Sequence, residues 1–417
     1  MERLYSVKMA SNFLVDGNII RNHSDAVYIR GVSKSGLEYL YIDINSFTDT
    51  SIHFDIQLMY SWGINCLRIP LRDKHWLDPA YIDVVNSFIF YAFRFNMIVI
   101  LDLHLQGGNK LQDKSMLRRN NTWDASKFWY NVSRQYHEFA DIFFEVFNEP
   151  NNIDPITWWY GDEEFYGYKE ILQVIRANAD NICILGGLDY AYQWAFLREH
   201  PDILHEMKQF TNLVVSSHPY GYKGAPILPD GIFSYPVPVR TIIPTADYTG
   251  DCTSGITVPE VDIDQYGWNQ SFGYLYHEEH FPMIVTEWGL DRPDTAIQGG
   301  WYTTHLLSYM SRHKMNYIAW AWVPDRIDYP SLLSRDFSPS GGSPCGTVEN
   351  NYYRGPGYLF HDHLKQPRRI LYPEISMSNT YLYTLLIIVM YGIKKILTRF
   401  ASKQTTRICS FEKFEKL

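Results

Sequence analysis

Two glutamates and one arginine stand inside strongly apolar stretches, and these are the residues whose types and positions could do chemistry. Glu149 closes the run IFFEVFNE (142–149), Glu287 lies in MIVTEWG (283–289), and Arg68 lies in NCLRIPL (65–71). A carboxylate buried without a partner is costly, so a glutamate in such a run has either a structural ion pair or a functional role. Asn148 precedes Glu149; His104 ends MIVILDLH (97–104), His218 and Tyr220 end LVVSSHPY (213–220), and Trp320 and Trp322 end YIAWAW (317–322). Two glutamates matched by an arginine, two histidines and a tyrosine at comparable positions point to one assembled site rather than scattered ion pairs. Paired carboxyl groups of this kind suit glycoside hydrolysis. One protonates the leaving oxygen, while the other attacks the sugar or activates water, and no metal or cofactor is needed.

The elements that must position these groups follow from the runs themselves. With AVYIRGV (26–32) and NICILGG (181–187) they make eight strand candidates. Between most of them lie segments with apolar residues near i, i+3, i+4 and i+7, among them HFDIQLMYSWG, YIDVVNSFIFYAFRF, ASKFWYNVSRQYHEFA and GYKEILQVIRANA. Strand and helix alternating eight times predicts an α/β fold, a (β/α)8 TIM barrel. Near-continuous apolar strands are what a sheet buried on both faces requires. In such a barrel the chemistry collects at the C-terminal strand ends, where the polar residues above fall. Pro150, which has no N–H to donate, is expected to end the fourth strand. A long Pro-, Gly- and Tyr-rich stretch from Gly221 to Gln270 reads as an elaborated loop over the site.

Composition narrows the alternatives. The chain has 417 residues, a net charge of -9 and no basic block in its body, so a nucleic-acid partner has little electrostatic support. Cysteines 66, 183, 252, 345 and 409 show no C-x-x-C spacing and indicate neither a zinc site nor a disulfide framework. Cys66 and Cys183 are expected as reduced core residues, while Cys252 and Cys345 could pair. The sequence HDH at 361–363 reads as exposed and solvated rather than metal-binding. Aromatic residues reach 16%. Trp76, Trp123, Trp158, Trp159, Trp194, Trp268 and Trp301 fall in or near the loops after the strands, where several are expected in the core and no more than about half as stacking platforms for sugar.

Taken in order along the chain, GINCLRIP, ILDLH, EVFNEP, SSHPY, IVTEWG and AWAWVPD resemble glycoside hydrolase family 5, the cellulase-type family, over about Val27 to Leu364. The resemblance implies a retaining double displacement with Glu149 as acid/base and Glu287 as nucleophile. It further implies that Asn148 bonds the sugar 2-hydroxyl, that Arg68 lies near Glu287 and favours its ionised form, that Tyr220 orients the same carboxylate, and that His104 and His218 line the cleavage subsite. Trp320 is implied as its stacking floor, with Trp322 the second candidate.

The expected substrate is an oligo- or polysaccharide, a β-1,4-glucan cut internally by analogy with the cellulase-type members. β-Mannanase, exo-β-glucanase and glycoconjugate glycosidase activities are the alternatives within the family, and an inactive sugar-binding surface protein is the alternative outside it. A monomer is expected. The catalytic domain is expected over 1–373 and a tail over 374–417. Within the tail, ISMSNTYLYTLLIIVMYGI (375–393) reads equally as a packed helix or a membrane anchor, its apolar core being shorter than the about 20 residues that span a bilayer. The N-terminus lacks the apolar core of a signal peptide. Localisation is therefore open, although the expected function favours an extracellular or membrane-associated site.

Overall fold

Short apolar runs, each with too few polar side chains to face water, pair with one another here as buried parallel strands. The computed structural model describes residues 1–365 apart from 9, 107–113, 121–123, 221–266, 290–302, 304–305, 325–330, 335, 340–346, 349–350 and 353–355. The chain opens with an antiparallel sheet of β1 (Phe13–Asp16), β2 (Ile19–Asn22) and β3 (Asp25–Ala26). Eight parallel strands follow: β4 (Arg30–Ser33), β5 (Cys66–Arg72), β6 (Ile98–Leu105), β7 (Ile142–Glu145), β8 (Cys183–Gly186), β9 (Leu213–Ser216), β10 (Met283–Val285) and β11 (Asn316–Ala319). They close into a barrel in which β11 pairs with β4, as the eight runs of the sequence predict.

The four helical segments singled out in the sequence are helices, over Asp49–Ser61, Pro79–Arg94, Ala125–Tyr136 and Tyr168–Arg176. Local chemistry starts them. Thr48 and Ser51 form a reciprocal capping box, Asp78 accepts from Ala80 N with Pro79 just inside the helix, and Asp124 accepts from Lys127 N. In Ala125–Tyr136 the buried residues Phe128, Trp129, Val132 and Tyr136 form one stripe against the barrel.

Because strand side chains alternate, each barrel strand serves two cores. Leu67, Ile69 and Leu71 of β5 and Val99, Leu101 and Leu103 of β6 join the layer shared with the helices. The residues between them face the barrel axis. There Ile98, Ile100, Ile184, Val214, Ile284 and Ile318 are buried and apolar, and toward the C-terminal strand ends they give way to Ser33, Arg68, Asp102 and Glu145, each 0% exposed.

Three indoles tie the helical layer to the strand ends. Trp129 Nε1 donates to Val146 O at 2.9 Å, Trp158 Nε1 to Gly186 O at 3.0 Å, and Trp194 Nε1 to Ser216 O at 2.7 Å. This bears on the tryptophans in or near the loops, several of which were expected in the core. Trp158, Trp159, Trp194 and Trp268 are 0% exposed and Trp76 is 5% exposed, all within the core, while Trp123 and Trp301 lie outside the described residues. An aromatic ring with one donor satisfies a helix–strand seam as well as it would a sugar, and sequence does not separate the two uses.

Other expectations change. The β1–β2 hairpin had not been anticipated, although Asp16-Gly17-Asn18 carries its turn: Asp16 pairs with Ile19 across the two-residue loop, and Gly17 takes φ +58°. β7 ends at Glu145, so Pro150 does not terminate it. Val146 N still bonds Ile184 O at 2.9 Å and Asn148 N bonds Leu103 O at 3.1 Å, which carries the segment irregularly to the rim. His361 packs on Trp62 at 4.6 Å, and His363, 9% exposed, meets Ser311 Oγ at 3.1 Å, so neither is a freely solvated side chain. Cys66 and Cys183 are free thiols in the core, as expected. Cys252, Cys345, Cys409, the 373/374 boundary and 375–393 lie outside the described residues. Among the described residues no helix is long and apolar enough to cross a membrane. Of the long stretch after β9, residues 221–266 are likewise outside, and the chain resumes as a π-type turn, Asn269–Gly273, continuing into the helix Tyr274–His277.

The indole anchors are directly testable. Trp158→Phe keeps an aromatic ring but leaves the buried Gly186 carbonyl without its indole donor, and a loss of about 1–3 kcal/mol is expected in denaturant unfolding. An unchanged midpoint would show that the anchor contributes nothing.

Candidate active site

Arg68 is the hub of the barrel mouth. Its Cα pairs with Ile100, two residues below Asp102 on β6, so the long side chain runs up the barrel axis and delivers its guanidinium at the level of the polar residues. It is not at the end of its strand, as the sequence reading had it, but third of seven residues. The guanidinium makes five contacts: Nε to Glu145 Oε2 at 2.6 Å, Nη1 to Glu287 Oε1 at 2.8 Å and Ser33 Oγ at 3.2 Å, and Nη2 to Asn148 Oδ1 at 2.7 Å and Asp102 Oδ2 at 2.9 Å. Because Arg68 only donates, the Asn148 carbonyl must face it. The Asn148 amide group is thereby turned toward His104 Nε2, 3.5 Å away.

All eight residues expected at the site are brought together. Tyr220 OH donates to Glu287 Oε2 at 2.8 Å, so both oxygens of that carboxylate accept a strong hydrogen bond. His218 Nδ1 lies 3.0 Å from Glu149 Oε1 and 3.8 Å from Glu287 Oε2. His104 Nδ1 lies 2.7 Å from Asp102 Oδ2, and the His104 ring stacks on Trp320 with centroids 5.2 Å apart and planes inclined by 7°. Trp322, the second candidate for the floor, is instead buried edge-on against Trp62, with ring centroids 4.8 Å apart. One ligating atom each from Glu149, His218 and Glu287 lies within 4.8 Å of the others, so the two glutamate carboxylates face one another closely.

Four members were not foreseen: Ser33, Asp102, Glu145 and Thr286. Thr286 Oγ1 donates to Glu145 Oε1 at 2.6 Å and meets His218 Nε2 at 3.0 Å. The signal was present, since Asp102 and Glu145 are charges in the middle of apolar runs, but reading only strand ends passes over them.

The carboxylates sit in unlike fields. For Glu287, burial pushes toward protonation, but His218, Arg68 and His104 outweigh it together with the Tyr220 hydroxyl, and its pKa is held below the ordinary value. Glu145 is also penalised by burial, yet Arg68 and its hydrogen bonds bring it down to about 2. For Asp102 burial wins against the same arginine, and its pKa rises to about 6. Burial opposes charge on the histidines as well. Even so, Asp102 lifts His104 above its usual value, and Glu287, with the hydrogen bonds toward Glu145 and Glu149, lifts His218 to about 9. Glu149 is the open member, with 19% of its side chain exposed against 5% for Glu287.

These shifts link stability to pH. His218 is raised from 6.5 to about 9, so its contribution is complete below pH 6.5 and is lost as pH rises through 9. Glu145 is lowered from 4.5 to about 2, so its contribution is present above pH 4.5 and is lost as pH falls toward 2. The melting temperature is expected to fall between pH 6.5 and 9, and His218→Asn should remove much of that fall. Parallel curves for the two proteins would show that His218 does not carry it.

Comparison with known proteins places this geometry. The family model described as Cellulase (glycosyl hydrolase family 5) matches residues 24–326. An endoglucanase of Clostridium saccharobutylicum is 22% identical over 342 residues, covering 79% of this chain and 60% of the relative. Endoglucanase E-5 of Thermobifida fusca is 23% identical over 318 residues, covering 72% of this chain and 60% of the relative. The chain thus spans about 60% of the length of these two curated relatives. Among solved structures, a β-glucanase of Saccharophagus degradans superposes with a TM-score of 0.58 at 19% identity, over 87% of this chain and 95% of that one. A hyperthermophilic endocellulase of Pyrococcus horikoshii gives 0.59 at 15% identity, over 79% and 96%. With the family model matched across the barrel from before β4 to beyond β11, the chain belongs to glycosyl hydrolase family 5.

Proposed function

We propose that this chain is an endo-β-1,4-glucanase acting by retaining double displacement, with Glu149 as acid/base and Glu287 as nucleophile. The observation that carries the mechanism is that one oxygen of Glu149 and one of Glu287 lie within 4.8 Å of each other, an approach that favours the closer of the two known carboxyl pairings. Retaining glycosidases hold their carboxyl groups about 5–5.5 Å apart, whereas inverting enzymes leave about 6.5–9.5 Å for an intervening water. The glucan assignment is supported by family membership and by the endoglucanase names of the relatives.

Each role has a physical basis. Glu287, ionised and gripped at both oxygens by Arg68 and Tyr220, is aimed for attack on the anomeric carbon. Glu149, the more open carboxyl group, is placed to protonate the leaving oxygen and then to take a proton from the incoming water. Asn148 presents its amide to the sugar 2-hydroxyl, His104 lines the cleavage subsite, and Trp320, braced by His104, offers a stacking face. The acid/base cycle needs no cofactor.

Two measurements test this reading. Proton NMR during hydrolysis of a cello-oligosaccharide should show the β-anomer formed first, with no reaction in Glu287→Ala; an α-anomer formed first would remove Glu287 as nucleophile. Glu149→Gln should lose about 10²–10⁴-fold on a substrate with a poor leaving group and far less on an activated aryl glycoside. Equal losses on the two substrates would contradict the acid role.

A further inference from the structure

An acid catalyst depends on what holds its proton, and behind Glu149 runs a continuous chain of polar contacts. Glu149 Oε1 meets His218 Nδ1 at 3.0 Å, His218 Nε2 meets Thr286 Oγ1 at 3.0 Å, Thr286 Oγ1 meets Glu145 Oε1 at 2.6 Å, and Glu145 Oε2 meets Arg68 Nε at 2.6 Å. Apart from Glu149, every member is 0% exposed. The direction of each bond is fixed from the arginine outward. Ionised Glu145 only accepts, so the Thr286 hydroxyl donates to it and has a lone pair left for His218. His218 Nε2 must then carry a hydrogen. That leaves Nδ1 as the ring atom able to exchange a proton with Glu149.

Resting on the acid/base reading of Glu149, we propose that Glu149 and His218 share a single proton, the one delivered to the leaving group, and that Glu145 and Thr286 are positioning residues that retain it at the site. Glu149 protonated beside neutral His218, and Glu149 ionised beside the imidazolium, are two arrangements of the same protonation state. In the first step the proton passes from Glu149 to the glycosidic oxygen as the bond from that oxygen to the anomeric carbon breaks and the Glu287 oxygen bonds the same carbon. In the second step water bonds that carbon, the bond to Glu287 breaks, and the water proton returns to the Glu149–His218 pair. Glu287, 3.8 Å from His218 Nδ1, strengthens the hold on the shared proton while it is ionised and ceases to do so once esterified. Among the described residues, the charged groups facing His218 are Glu145 on β7, Glu149 beyond it and Glu287 after β10, with Arg68 of β5 behind Glu145 and Glu287 and the Tyr220 hydroxyl on Glu287.

Thr286→Val preserves shape but removes the acceptor for Nε2–H, so the imidazolium is disfavoured and the shared proton is held less tightly. In the full chain hydrolysing a cello-oligosaccharide, the alkaline limb of kcat/KM is expected to move down by about one pH unit, and Thr286→Ser, which keeps the hydroxyl, should retain the wild-type limb. An ¹⁵N-histidine titration without substrate should show the same downward shift of His218 in the valine variant only. A limb and a His218 titration that stay in place while activity drops uniformly, or equal shifts in both variants, would overturn the relay alone. A shifted His218 titration without hydrolysis by any of the three proteins would overturn the hydrolase reading and the delivery step with it.

Discussion

A guanidinium with no access to water has to be neutralised where it stands, and this constraint organises the barrel mouth. Arg68 is satisfied by groups from β4, β6 and β7, from the segment after β7 and from the segment after β10. Removing one partner of such a buried cluster leaves uncompensated charge and costs about 3–5 kcal/mol, so the five contacts stand or fall together. Closure of the barrel and assembly of the site are for this reason one event. The strands must come into register for Arg68 to be paired, and once it is paired, Asn148 and Glu287 have their orientations.

The two glutamates differ because of what the arginine reaches. Glu287 sits against it and is held ionised; Glu149, on the irregular segment beyond β7, faces His218 and solvent. A pair of like side chains is given unlike electrostatic surroundings, and the proposed division of labour between nucleophile and acid needs no other asymmetry. The irregular segment matters here. Had the ladder continued regularly through Asn148 and Glu149, period-two alternation would have sent one of them into the helical layer rather than bringing both to the site.

The fold was legible because a parallel sheet covered on both faces demands apolar runs, and eight such runs are hard to hide. Most of the expected site residues stood out because they break those runs near their ends, whereas Arg68 stood out as a charge in the middle of one. What escaped the reading was burial by partnership. Asp102 and Glu145 lie within strands, where a charge looks like an accident until Arg68 is seen to meet both. Tryptophan is ambiguous in the sequence for a related reason: Trp129, Trp158 and Trp194 need one acceptor each, and backbone carbonyls at the strand ends supply them. The N-terminal hairpin was missed because its strands are half-polar and short, although its glycine turn was in plain view.

Arg68 is also outnumbered. One guanidinium meets Asp102, Glu145 and Glu287, and Glu149 stands one histidine away. Among the described residues, that excess of carboxyl groups favours the uptake of protons at the buried site. The shifts reflect burial and this imbalance together: burial lifts Asp102 to about 6 against the pull of the arginine, Glu287 leads the groups that lift His218 to about 9 against burial, and Arg68 with its hydrogen bonds brings Glu145 down to about 2. Protons are therefore retained at the barrel mouth at a pH where exposed carboxylates and histidines would have released them. In the proposed mechanism one of these is the catalytic proton, so the acid rests on the same buried cluster of charges that Arg68 holds together.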